Sequence, residues 1–200
     1  MTERAPSDVL LSSGVTVADY RNFLIAQDRE SIACFIHQRL YERYLKPFKS
    51  AEHKHGFAMM ACGCLMVEAL QSFWTGSAKS AQSGQAFQDF FARVEAFTPL
   101  GECSRFFYKH VRCGIMHQGE TTGSWRVRRD GAALYDPQTQ TVDATRFLSA
   151  LEMHLLDYCK ELRESDWDSP IWQHFRLKMT YVSRGTGVGP KYLDKPLPGL

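Results

Sequence analysis

The sequence predicts a mainly α-helical bundle with one small β-hairpin insert. Apolar residues recur at spacings of three, four and seven along the long segments. The pattern turns to strand-like alternation near Trp125, and the Gly- and Pro-rich stretches fall between the periodic segments or at the C-terminal end. With 200 residues, 44% of them hydrophobic, the chain can bury one substantial core and is short for two full domains. The expected organisation is a flexible lead over residues 1–16, a single helical domain over 17–183, and an extended Gly/Pro-rich tail over 184–200.

Helical patterning starts near Asp19 and runs to Lys46, where Pro47 closes it. Phe23, Ala26, Ala33, Ile36, Leu40 and Tyr44 form its stripe, with Gln27 to Glu30 as the place for a break. From His55 to Trp74 the sequence is apolar on nearly every side, which predicts a central buried helix. Ala61, Cys62, Gly63 and Cys64 are small enough to let another helix approach closely. The apolar run Phe57 to Val67 stops at Glu68, well short of the roughly 20 residues that a membrane span needs, so a buried helix is expected, not an anchor.

Residues 76–84, rich in Gly, Ser and Lys, read as a loop, and Phe87, Phe90, Phe91, Val94 and Phe97 mark a short helix ended by Pro99. The next helix runs from Glu102 to about His117, with Phe106, Phe107, Val111 and Ile115 facing inward. The alternation from Trp125 to Tyr135, centred on Asp130-Gly131, predicts a β-hairpin over about 124–136, since that dipeptide supplies the positive φ angles of a two-residue turn. Helix returns from Thr141 to Glu164 on the stripe Phe147, Leu151, Leu155, Tyr158 and Leu162. Ser169-Pro170 then starts a last helix that continues to Val182.

A net charge of +2 demands neither a nucleic-acid nor an acidic partner, so any RNA-facing surface has to come from local clustering. The six cysteines mostly sit in apolar helical patterns and read as reduced core residues. Met1 to Leu11 lacks the apolar core of a signal peptide, and the expectation is a cytoplasmic protein without a membrane segment.

The chemistry concentrates where the apolar helix ending near His117 gives way to polar residues and glycine. Arg112 and His117 stand there with four residues between them. Arginine is a permanent cation that forks onto phosphate, and histidine exchanges protons near neutral pH. Five steps along a regular helix rotate a side chain by about 140°. The pair therefore needs a helix that loosens around Gly114 to Gly119, or a second copy meeting it across a dimer axis, and both are expected.

Arg-x4-His at the end of a helix in an all-helical domain, preceded by a buried helix bearing Glu68, resembles the HEPN superfamily over roughly residues 28–165. The resemblance implies a metal-independent endoribonuclease of toxin or phage-defence type, with RNA as substrate and no cofactor or metal. It also implies a homodimer with a composite site, and an antitoxin or defence-complex partner. His117 would transfer protons at the ribose 2′-hydroxyl or the leaving 5′-oxygen, and Arg112 would steady the scissile phosphate, giving a 2′,3′-cyclic phosphate and a 5′-hydroxyl. Cys113 departs from the family pattern, where a small polar residue often follows the arginine.

Around this pair, Glu68 needs a partner in its apolar helix, and Arg112 or His117 is the candidate. His110 and Glu120 are candidate cleft neighbours. Arg126 and Arg128 alternate onto one strand face where they could attract an RNA backbone or guard a solvated edge; Trp125 could stack a base or close the core. A helical module that binds nucleotide, RNA or protein without cutting, or an accessory subunit of a defence complex, is the alternative. Three other patterns rank lower. Cys113 and His117 lie four apart but lack an orienting third residue. His53 and His55 with Cys62 and Cys64 suggest zinc, yet the two cysteines diverge by about 200° on a helix. Gly185 to Lys191 imitates a phosphate loop without the hydroxyl and helix that a phosphate loop requires.

Overall fold

The structure, a computed structural model, describes residues 9–49, 55–78 and 83–184. It is mainly helical with a small three-stranded sheet. The residues group into two compact units, one drawn from Met1–Leu40, Ser72–Ala78 and Asp157–Leu200, the other from Tyr41–Gln71 and Lys79–Leu156.

In the first unit, α1 (Val17–Ile25) opens on a capping box: the Thr16 hydroxyl accepts from the Asp19 N–H at 3.1 Å, and the Asp19 carboxylate accepts from the Thr16 N–H at 2.9 Å. The expected break falls at Ala26 to Asp28, where Gln27 takes φ 51° and Asp28 accepts from the Ser31 N–H to start α2 (Arg29–Tyr44). The last helix, α9 (Pro170–Arg184), begins at the expected Ser169-Pro170. Trp172 donates its indole N–H to the Leu162 carbonyl at 3.0 Å, and Tyr20, Phe35, Phe73 and Phe175 pack as an aromatic core. Residues 9–16 depart from the flexible lead that was expected: Leu11 is fully buried, its N–H bonds the Val15 carbonyl, and Leu10 bridges Thr16. The buried Leu11 is joined in holding this turn by bonds from the Ser12 N–H to the Val15 carbonyl and from the Val17 N–H to the Val9 carbonyl, and by the Ser12 and Ser13 hydroxyls bonded to Gln38. Residues 1–8 and 185–200, with the phosphate-loop look-alike, lie outside the described residues.

The second unit holds the candidate site. Much of α3 (Gly56–Thr75) belongs to it, and this helix is long and apolar enough to cross a membrane by length and composition. More than half of its most apolar stretch is buried in the protein, as a core helix requires. At Gly63 a neighbour comes close: a Cβ there would lie 3.0 Å from the Phe147 ring on α8 (Ala144–Glu164). Phe147 in turn stacks on Phe107 at 5.6 Å, and Phe87, Phe90, Phe91 and Phe97 complete the aromatic core.

The short helix α4 (Ser83–Arg93) ends earlier than expected. Pro99 does not stop it; a proline without an N–H fits the first turn of a helix, and Pro99 opens α5 (Thr98–Gly101). The following helix is continuous in outline but built from three pieces: α6 (Ser104–Phe107), a π-helical turn (Tyr108–Arg112) and α7 (Cys113–Gln118). Phe106, expected inward, is 60% exposed and lies parallel to the His110 ring.

The expected hairpin about Asp130-Gly131 does not form. Strand β1 (Arg126–Arg128) pairs in parallel with β3 (Thr141–Asp143), and β2 (Tyr135–Asp136) pairs antiparallel with β3 from the other side. The real hairpin is β2–β3, turned by residues 137–140, with Asp136 accepting from the Gln138 N–H and the Thr139 hydroxyl and Gln140 at φ 49°. Thr141 to Asp143 was expected to be helix. Asp143 explains the change. Buried at the end of β3, it accepts from the Gly131 N–H at 2.6 Å with one oxygen, and with the other it caps α8 through the Arg146 N–H at 2.8 Å.

Candidate functional site

The site is organised by the helix running from Ser104 to Gln118. At its centre the Cys113 N–H reaches the Tyr108 carbonyl, five residues back, so one extra residue is wound into the turn before Arg112. Phe107 and Val111 stay buried on the core side, and Arg112 is directed toward α3. Its Nε donates to the Glu68 Oε1 at 2.9 Å, with the two side chains 16% and 18% exposed. The guanidinium also lies over the Tyr108 ring, 5.6 Å from its centroid. Burial works against the arginine's charge, but the Glu68 carboxylate, joined by smaller contributions from Tyr108 and Cys113, more than offsets it and keeps the guanidinium protonated. The terminal nitrogens of Arg112 carry no hydrogen bond among the described residues. Of the two partners expected for Glu68, Arg112 is the one that pairs with it, and the pair uses only the inner edge of the guanidinium.

His117 stands elsewhere. It is exposed on the last turn of α7, and it makes no hydrogen bond or ion pair among the described residues. The helix does not loosen at Gly114 as expected, because the chain from Cys113 to Gln118 stays α-helical and ends on Gly119 at φ 69°. The extra residue comes before Arg112, so the rotation of about 140° between Arg112 and His117 remains. One chain does not bring the two side chains onto a common face.

Gly114 is small for a different reason. After Gly119 the chain doubles back along the helix, and a Cβ on Gly114 would sit 2.5 Å from the Glu120 carbonyl oxygen. The returning segment is pinned at His110, whose Nδ1 lies 2.9 Å from the Thr122 hydroxyl while its carbonyl accepts from the Thr122 N–H at 2.9 Å. Gly123 passes so close to the imidazole that a Cβ there would be 2.5 Å from Nδ1. His110 is therefore a half-buried clamp for the loop, neither an exposed helix position nor a free cleft residue. Glu120 is exposed, and its carboxylate accepts from the N–H of Thr121 at 3.0 Å.

Cys113 is half-buried beside Arg112, and no hydrogen bond joins it to His117. Trp125 is 4% exposed, lies parallel to Tyr135 at 5.3 Å and meets the edge of Phe107, so its ring closes the core and offers no face to a base. Arg126 and Arg128 are both exposed on β1, as the alternation predicts. The cysteines are less uniform than expected: Cys34 is exposed, whereas burial pushes the Cys64 thiol well above its ordinary value. No group of three or more His, Cys, Asp or Glu side chains is placed to hold a metal among the described residues; His53 lies outside them.

Sequence reasoning missed Tyr108 and the loop clamp. Tyr108 was legible as the residue one helical turn before Arg112. Nothing in Tyr108–Arg112 signals a π turn. No protein-family model, curated protein or solved structure matches this chain.

Proposed function

We propose that this protein is a metal-independent endoribonuclease whose active centre forms between two copies of the chain. The observation that carries this reading is the clasp of Arg112 by Glu68. It fixes a charged guanidinium by its Nε and leaves the terminal fork without a hydrogen bond among the described residues, the arrangement suited to gripping a phosphate. The second component is an exposed histidine, without a hydrogen bond or ion pair among the described residues, five residues further along the same helix. In the proposed reaction the His117 imidazole takes the proton of the ribose 2′-hydroxyl or returns one to the leaving 5′-oxygen. Arg112 stabilises the charge that grows on the phosphate, and the products are a 2′,3′-cyclic phosphate and a 5′-hydroxyl. Glu68 positions Arg112 without touching substrate.

Because the two side chains diverge on one helix, a second copy supplies His117 to the Arg112 of the first. A stripe of α3 runs toward Glu68 with Phe57 and Leu65 39% and 38% exposed, and it gives such a copy an apolar footing. The test is incubation of labelled RNA in EDTA with wild type, Arg112→Ala and His117→Ala. Wild type should cut, and each variant should lose about 10²- to 10⁴-fold. Cleavage that is absent in wild type or equal in all three would refute the reading.

The divergence of Arg112 and His117 also supports a second reading, a module that binds RNA or another partner without cutting. Under it, RNA would be retained by wild type and released intact. A toxin or phage-defence role goes with the first reading; it requires growth arrest on expression of wild type and normal growth with His117→Ala.

A further inference from the structure

Beside the turn of the β2–β3 hairpin lies an open recess of about 410 Å3, lined by Ser124, Arg126, Pro137, Gln138, Thr139 and Gln140. Its walls are polar. The side chains of Arg126, Ser124, Gln138 and Gln140 make no hydrogen bond or ion pair among the described residues. Two of them are held by unusual backbone: Ser124 has φ 66° and Gln140 φ 49°. The Arg126 N–H bonds the Gln140 carbonyl at 3.0 Å, which ties the two walls together. Here one exposed cation, two primary amides and a hydroxyl converge on a space the size of a small ligand.

Arg128, its neighbour on the same strand face, is differently placed. A Cβ on Gly131 would lie 2.6 Å from the Arg128 Nε and 3.0 Å from the Asp143 carboxylate, so this arginine lies over Gly131 beside a carboxylate. Its charge also acts on Asp136. The two arginines that alternation puts on one face are therefore unequal: acidic neighbours offset Arg128, and Arg126 is left to act.

We propose that this recess is a single-stranded RNA subsite, in which Arg126 takes a backbone phosphate and the Gln138 and Gln140 amides read the edge of the adjoining base. Primary amides offer a donor and an acceptor side by side, as a base edge does, and a splayed single strand exposes that edge. The burial of Trp125 removes the stacking platform that sequence-tolerant binders use, so recognition here is by edge and carries base preference. The location fits the same substrate. Gly123, next to Ser124, packs on His110, and His117 lies about 10 Å further along that helix. This inference rests on the ribonuclease reading for its choice of ligand.

The test uses the full chain and a fluorescein-labelled, 2′-O-methylated single strand of about eight nucleotides, which binds without being cut. Arg126→Ala should weaken binding about tenfold and lower the salt slope by about 0.7. Arg128→Ala should stay within about twofold. Gln138→Ala, and Gln140→Gly at a position that already has positive φ, should flatten the preference among strands differing in base, with circular dichroism unchanged. On cleavable RNA, Arg126→Ala should raise KM and leave kcat alone. Equal losses for Arg126→Ala and Arg128→Ala, no loss for Arg126→Ala, or no binding by wild type would overturn the subsite. The two proposals fail separately. Arg126-dependent binding by a protein that never cuts keeps the subsite and removes the nuclease. Cleavage with KM and binding indifferent to Arg126 keeps the nuclease and removes the subsite.

Discussion

At Arg112, one hydrogen bond decides what the rest of the side chain is available for. Glu68 takes the Nε edge in a mostly buried setting, so removing the arginine takes a charged partner from a carboxylate that is only 18% exposed. Arg112→Ala should cost about 2 kcal/mol of stability in chemical denaturation. His117→Ala, at an exposed position with no hydrogen bond or ion pair among the described residues, should stay within about 0.5 kcal/mol. That contrast separates folding from chemistry: loss of cleavage in a His117→Ala protein of wild-type stability would come from the reaction. A pH effect belongs to the same scale. The Thr16 hydroxyl and then its N–H hold the Asp19 carboxyl below its ordinary value. Its folded pKa is depressed, so its contribution is complete above the unfolded value near 4 and disappears as pH falls through the folded one. Amide protection at the start of α1, measured relative to the intrinsic exchange rate at each pH, should be unchanged above about pH 4 and fall below it.

Among the elements, the helix from Ser104 to Gln118 and the segment that doubles back on it act as one piece. Gly114→Ala would drive a methyl into the Glu120 carbonyl, and a backbone atom yields less readily than a side-chain tip. The expected loss is about 1 to 3 kcal/mol, with increased protease cutting near Gly119; unchanged stability would mean the returning segment is not seated there. Asp143 joins the sheet to α8, and Asp143→Ala should cost about 2 kcal/mol by leaving the Gly131 N–H and the first turn of α8 uncapped. Most helices were legible because an apolar stripe at helical spacing needs only a core to face. The small sheet was not. Asp130-Gly131 has the composition of a hairpin turn, but pairing is chosen between strands, and Asp143, twelve residues on, offers the Gly131 N–H a buried acceptor that no local rule detects.

For the whole molecule, the proposed activity turns on whether two copies share a centre. Mixing inactive Arg112→Ala with inactive His117→Ala should restore about a quarter of wild-type cleavage, since half the dimers are mixed and each has one intact site. A mixture as inactive as its parts would place both groups in one chain or neither in the reaction. The sequence by itself determined the helical class, the break after α1, the start of α9 and the residue types at the candidate site, because these follow from periodicity, capping and side-chain chemistry within a few turns of chain. It also foresaw that Glu68 would need a partner, with Arg112 or His117 as the candidate. Only tertiary structure decided that the extra residue winds in before Arg112, that His110 clamps a loop, that Trp125 is buried, and that Arg126 is open where Arg128 is not. Each of these depends on contacts between segments far apart in sequence, where the free energy of burying a ring or pairing a carboxylate overrides what neighbouring residues prefer.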